Sequence, residues 1–288
     1  MAEIVIIGAG RLGTSLGRAL ARKGHVIRAL PCRRKGSAAE SRAIIGQGKA
    51  MTDNGAAARK GAVIFLCLPD EEIHRVASRL ARSRVDWKGK TVFHTSGLLS
   101  SRVLDPLKKK GALVASLHPG QSFPSKKTGP SHFRGTAFAL QGDKEALVLA
   151  RGLVRQLGGR AMVIPEDAKL LYHAALSFAS NFLVVIVDAA AGLLKEARIP
   201  GDRAARMLIP LLQGTLRNVK KLDTAGSLTG PLVRGDTATV GAHLEALKRL
   251  PRYAELYRNL SLMGLEIAGK SGLTSRQVRA LKSRLGGR

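Results

Sequence analysis

The sequence predicts a doubly wound parallel α/β sheet followed by an all-α domain. Three observations carry this. Short runs rich in Val, Ile and Ala alternate with amphipathic stretches through the first 165 residues, a glycine-rich turn follows the first run at once, and after Pro165 helices alone account for the pattern. Apolar strands separated by helices belong to a sheet covered on both faces. The expected domains are therefore residues 1–165 and 166–288.

The first strand, residues 4–7, runs into Gly8-Ala9-Gly10-Arg11-Leu12-Gly13, where a helix over 12–22 begins. In this setting each glycine has a task. Gly8 permits the tight turn, Gly10 lets a pyrophosphate approach the backbone, and Gly13 lets helix and strand pack closely. The turn residues Arg11 and Leu12 open the helix, whose free N–H groups and positive dipole end suit phosphates. A second strand, 26–30, leads to Pro31-Cys32-Arg33-Arg34-Lys35. An NAD-specific site would place an acid about 20 residues past the glycines to bond the ribose hydroxyls. No acid lies between His25 and Ala39, whereas Arg33 and Arg34 can grip a 2′-phosphate and Lys35 adds charge. The inferred cofactor is NADP(H); the plainer alternative is an exposed basic turn.

The next strand, 62–68, ends in Leu68-Pro69-Asp70 before a helix over 71–81. Ligands of open α/β sheets lie beyond the carboxyl ends of the strands, so Leu68 and Pro69 should flank the cofactor, while Asp70 reads best as a helix cap. Strand 91–93 delivers His94-Thr95-Ser96-Gly97 to the same edge, followed by a helix over 99–109, and strand 113–117 delivers His118-Pro119-Gly120-Gln121-Ser122. Thr95 and Ser96 are expected near the cofactor, and Ser96 and His118 near a substrate. Strand 136–140, helix 144–157 and strand 162–164 complete the first domain.

A long helix over 166–196 opens the second domain, followed by helices over 202–221, 237–249, 252–270 and 274–285, with breaks at Ile199-Pro200-Gly201, 226–235 and Ser271-Gly272. On the long apolar helix the polar residues Lys169, His173, Ser177, Ser180, Asn181 and Asp188 fall within about 120° of arc, at roughly 100° per residue. A solvent-facing stripe would carry more Lys, Glu and Arg. A substrate-facing stripe explains it better: Lys169 and His173, at i and i+4, can divide proton donation and carboxylate binding, with Ser177 and Asn181 as further substrate contacts. In the loop before residue 237, Asp236 reads as a cap and Arg234 as a candidate carboxylate clamp.

Composition narrows the function classes. The 288 residues include 48 Lys/Arg and 20 Asp/Glu, a net charge of +28, and the first 160 residues hold 29 of the cations against 10 acids. Only 4% of residues are aromatic and the cations are spread along the chain, which disfavours a nucleic-acid reader and favours an Arg-rich surface that draws in small anions. No His or Cys spacing suggests a metal. The most apolar run, 178–194, is interrupted by Asn181 and Asp188, so no membrane span is expected. Two cysteines and a start without a basic leader fit a cytoplasmic protein.

The motifs GAGRLG from Gly8, CLPD from Cys67, HTSG from His94, SLHPGQSFP from Ser116, YHAALSFASNFL from Tyr172, and TGPLVRGD from Thr229 with TVGAHL from Thr239 together resemble a known family. It is a Rossmann-like family with a helical C-terminal domain long catalogued as of unknown function, some of whose members are alternate ketopantoate reductases. Pyrroline-5-carboxylate reductase and the 3-hydroxyisobutyrate and 6-phosphogluconate dehydrogenases are more distant relatives. The resemblance implies NADPH-dependent reduction of a small 2-oxo acid, ketopantoate first, and a homodimer formed through the helical domain. In the hydroxyacid dehydrogenases a Lys is followed four residues later by Asn; here Lys169 is followed by His173, which can itself donate a proton. The rival readings are an imine reductase of the pyrroline-5-carboxylate type and a non-enzymatic NADP(H) sensor.

Overall fold

The computed structural model describes residues 1–199 and 201–286. Its first part is an eight-stranded sheet in the order β3-β2-β1-β4-β5-β6-β7-β8. Strands β1 (Glu3–Ile7), β2 (Val26–Pro31), β3 (Lys49–Met51), β4 (Val63–Leu66), β5 (Thr91–His94) and β6 (Leu113–Pro119) are parallel. The chain winds outward from β1 to β3 and then restarts at β4 on the other side, so the order reverses between the carboxyl ends of β1 and β4. That reversal is where open α/β sheets form their ligand crevice.

Helices α1 (Arg11–Ala21), α2 (Lys35–Ile45), α3 (Asn54–Ala58), α4 (Asp70–Ala81), α5 (Asp105–Lys108) and α6 (Lys144–Gln156) accompany the sheet. Alternate strand residues point to opposite faces. Ile4, Ile6, Phe65 and Phe93 accordingly meet Leu16, Leu20 and Leu153 of α1 and α6, while Val5, Ile7, Ile64, Leu66 and Val92 meet Ile73, Val76 and Leu80 of α4. Both faces are covered, which is why these strands read as unbroken apolar runs.

The sheet departs from the expected one in places. Strand β7 (Ala137–Gly142) is antiparallel to β6, and β8 (Arg160–Val163) is parallel to β7. A parallel return needs a crossover element, and the β6–β7 connection holds only a 3₁₀ turn, Pro130–Phe133. Helix α2 and strand β3 occupy a stretch that carries little periodic signal: α2 buries only Ala38, Ser41 and Ile45, and β3 has three residues. The helix expected over 99–109 is a 3₁₀ turn, Ser101–Leu104, followed by the single turn α5.

Contacts divide the chain into two compact units, Met1–Asn181 and Phe182–Arg288. The sequence places its boundary at 165; the contact division falls later because α7 (Lys169–Ala179) is anchored on the sheet by its first residue. The helix expected over 166–196 also begins three residues late and is interrupted at Ser180 (φ −120°, ψ −67°), beyond which α8 (Asn181–Glu196) follows. Asp188 therefore lies past the interruption, and the polar arc is not one continuous stripe.

The second unit continues with α9 (Gly201–Lys221), α10 (Thr224–Ser227), α11 (Pro231–Arg234), α12 (Thr237–Ala246), α13 (Pro251–Lys270) and α14 (Ser275–Arg284). The expected break at Ile199-Pro200-Gly201 includes Pro200, which lies outside the described residues. Val240, Leu244, Leu265, Leu281 and Leu285 form this unit's core. Asp236 caps α12 by accepting from the Thr239 N–H, as its position before the helix suggests, and Thr274 caps α14 in a capping box with Gln277. A Cβ on Gly192 would lie 2.3 Å from the Tyr253 hydroxyl, so α8 and α13 can pack this closely only over a glycine. Helix α8 has no buried residue, and Val184 and Leu211 are 69% and 68% exposed. Residues 169–196 are the one stretch, among the described residues, long and apolar enough to cross a membrane by length and composition.

Candidate active site

Three sets of residues meet at the carboxyl edge of the first unit's sheet. The first is the turn between β1 and α1. Gly8 has φ +86°, a left-handed conformation that favours glycine, and a Cβ there would lie 2.5 Å from the Cys67 carbonyl oxygen and 2.6 Å from Leu68 Cδ2. At Gly13 a Cβ would lie 2.7 Å from the Gly8 carbonyl oxygen and 3.1 Å from Ile6 Cγ2. Gly10, by contrast, faces open space, with nothing nearer to its missing Cβ than the Gly8 oxygen at 3.9 Å. Helix α1 starts here with no side-chain cap and no acid in its first turn, which holds Arg11 and Leu12. Its N–H groups and dipole are left for an anion.

The second set follows β2. Arg33 and Arg34 are exposed, and with Cys32 and Ser37 they line a recess of about 290 Å³. Helix α2 opens at this recess, again with no side-chain cap and no acid in its first turn. Burial pushes the Cys32 thiol up, so it stays protonated at neutral pH.

The third set surrounds Lys169, which is 2% exposed. Its ammonium donates to the Ser116 hydroxyl at 2.6 Å and the Ser96 carbonyl at 3.2 Å, and the Ser116 hydroxyl donates to that same carbonyl at 3.3 Å. Burial lowers the Lys169 pKa to about 8, with Asp70 pulling it the other way. Asp70 is the first residue of α4 and the cap position belongs to Pro69, which corrects the reading of Asp70 as the cap.

Two histidines of this set have defined tautomers or partners. His94 Nε2 donates to the Ser100 carbonyl at 3.2 Å, and its Nδ1 accepts from the Ser96 N–H at 3.2 Å. Burial, then the Lys169 charge, brings its pKa down to about 3, so His94 is a neutral brace for the Thr95–Ser96 turn. His118 Nδ1 lies 3.0 Å from the Tyr172 hydroxyl. Burial, then Lys169 and His173, lowers His118 to about 4, while burial lifts Tyr172 to about 12. The His118 and His173 ring centres are 6.4 Å apart. Gly97 makes room for both: a Cβ there would lie 2.7 Å from His173 Cδ2 and 2.9 Å from His118 Nε2.

A cavity of about 360 Å³ opens beside these rings, walled by His118, His173, Ser177 and Asn181 and by residues 120–122. His118, His173, Ser177 and Asn181, expected at a substrate, thus share one cavity, which Ser96 and Lys169 do not line. Leu68 approaches Gly8, and Thr95 donates its N–H to the Leu66 carbonyl at 3.3 Å. Arg234 belongs to the second unit, where it is exposed and 3.9 Å from Asp236. Sequence reasoning missed Tyr172, Ser116 and Gly97. Tyr172 and Ser116 read as ordinary apolar-helix and strand residues, and their roles come only from the partners that packing brings to them.

Residues 2–119 match the model of a Rossmann-like domain, and residues 136–263 match that of a domain of unknown function, DUF2520. Among solved structures, a protein of Bacteroides fragilis provisionally described as an NADP oxidoreductase is 26% identical, with a TM-score of 0.75 over 92% of this chain and 98% of its own. A Thermotoga maritima protein is 27% identical, with a TM-score of 0.74 over 93% and 98%. The pyrroline-5-carboxylate reductase of Coxiella burnetii shares the fold at 16% identity, with a TM-score of 0.58 over 95% and 99%. No curated protein matches the chain.

Proposed function

We propose that this chain, a Rossmann-like domain continued by the helical domain of unknown function, is an NADP(H)-dependent oxidoreductase that reduces a small anionic 2-oxo acid. The description of its Bacteroides fragilis relative supports the class of reaction. The residues fit the cofactor: open space before Gly10 at an uncapped helix start suits a pyrophosphate, and the recess lined by Arg33 and Arg34 suits a 2′-phosphate. NADPH, when bound, supplies a hydride.

The observation that carries the reading is the cavity faced by His118 and His173, with the buried Lys169 ammonium close enough to act on His118. Lys169 holds a buried positive charge near His118, where low dielectric strengthens its pull on a carboxylate and on charge developing at a reduced oxygen. His173 reaches the cavity and is assigned the proton donated to that oxygen. His118, neutral and paired with Tyr172, offers a hydrogen bond to the substrate, and Ser177 and Asn181 orient it.

Ketopantoate is the first substrate to test, and a cyclic imine such as pyrroline-5-carboxylate the second. A panel of 2-oxo acids and imines with NADPH, followed at the nicotinamide absorbance, should show turnover with a branched 2-oxo acid. Turnover with imines alone would move the chemistry to C=N reduction, and tight NADPH binding without any turnover would favour a sensor. The protein is further proposed to act in the cytoplasm as a homodimer, with its exposed apolar residues on α8 and α9 covered by a second copy.

A further inference from the structure

The segment that follows β6 touches the cavity wall at Gly120, Gln121 and Ser122 and then runs to the other end of the sheet's carboxyl edge. Phe123 anchors it by packing against Phe133, with ring centres 5.3 Å apart. Three residues later the Lys126 ammonium donates to the Ser37 hydroxyl at 2.8 Å, the Ser37 carbonyl at 3.3 Å and the Glu40 carboxylate at 2.8 Å. Ser37 lines the recess that also holds Arg33 and Arg34, and the Lys126 charge is felt by Cys32 in the same recess. The Lys126 side chain is only 17% exposed, a low value for a lysine with no catalytic neighbour. Glu40 is the first acid after β2, and it stands one helical turn beyond Ser37.

Resting on the NADP(H) reading above, we infer that Lys126 is a specificity-determining residue for the 2′-phosphate. Its ammonium, held at Ser37 on the wall of the recess, neutralises Glu40, the nearby acid that would otherwise repel a phosphate dianion beside Arg33 and Arg34. The charge arrives from the segment that starts at the substrate cavity, so the two ends of the crevice share one piece of chain.

The test is calorimetric binding of adenosine 2′,5′-bisphosphate and of 5′-AMP to the full chain and its variants. Lys126→Gln should weaken the bisphosphate about tenfold, through the repulsion of a Glu40 left unneutralised, and leave 5′-AMP unchanged. Lys126→Arg should retain the preference, and Glu40→Gln, which leaves the recess more positive, should strengthen binding of the bisphosphate alone. The inference is overturned if Lys126→Gln spares the bisphosphate or weakens both nucleotides equally, since Lys126 is then only a tie between loop and helix. Should the unmodified protein fail to distinguish the two nucleotides, the NADP(H) reading itself falls. Thermal melts of each variant separate loss of binding from loss of fold.

Discussion

Lys169 shows what burial does to one side chain. Its ammonium has two fixed acceptors and almost no water, so the charged form is disfavoured and the pKa falls to about 8 from 10.5. The sign for activity follows: the charge is present below about pH 8 and lost above it. Reduction should decline as pH rises through about 8, and Lys169→Met should remove that step and cut turnover by two or more orders of magnitude (about 3 kcal/mol or more) while leaving NADPH affinity nearly intact. His173→Asn should lower turnover yet keep the alkaline decline, because the Lys169 charge survives; an unchanged rate in Lys169→Met would remove Lys169 from the mechanism. For stability the sign is also set. The unfolded lysine holds its proton up to higher pH than the folded one, so the penalty of burying the charge is full below about pH 8 and is relieved as pH rises toward 10.5. Lys169 and His173 were legible as a pair on one helix, but the burial that tunes Lys169 was not, since its partners are Ser116 on β6 and Ser96 in the turn after β5.

At the scale of elements, the site depends on how closely α7 approaches the ends of β5 and β6. Gly97 sets that distance, since any side chain there would meet both imidazoles. Gly97→Ala should leave cofactor binding and fold intact but lower kcat/KM about ten- to a hundredfold by displacing His118 and His173 from the places proposed for them at the substrate. Steady-state kinetics alongside nucleotide calorimetry would check it, and unaltered kcat/KM would mean the rings do not contact substrate. The apolar strands were legible because burial on both faces leaves an unbroken Val- and Ile-rich run. Elements with partial burial were not: α2 packs through a narrow strip, β3 spans three residues, and α7 and α8 read as one helix because the interruption at Ser180 involves no Gly or Pro.

For the whole molecule, two surface properties dominate. The +28 charge favours anionic ligands and small polyanionic cofactors. Some of it is placed by Arg33, Arg34 and Lys126 at one recess, and the rest is distributed over the surface. The other property is the bare apolar side of α8 and α9. Covering a Val or Leu fully is worth about 1.5–3 kcal/mol, so leaving Val184, Leu211 and their neighbours in water is costly. Asp188, exposed in the middle of α8, argues against lipid as the covering medium. Size-exclusion chromatography with light scattering should give a dimer that Val184→Asp or Leu211→Asp shifts to monomer; a monomeric parent protein would refute the second-copy reading. The sequence by itself determined the strand–helix alternation, the glycine turn, the absence of an acid between His25 and Ala39 and the change to helices after Pro165. Each of these is written in neighbouring residues, through side-chain period, backbone freedom or local charge. Only the tertiary structure decided that Lys169 lies buried between Ser96 and Ser116, that Tyr172 pairs with His118, and that Lys126 reaches Ser37 and Glu40. Those are contacts between residues distant in the chain, and their desolvation and hydrogen bonding exist only once the sheet has brought the strand ends together.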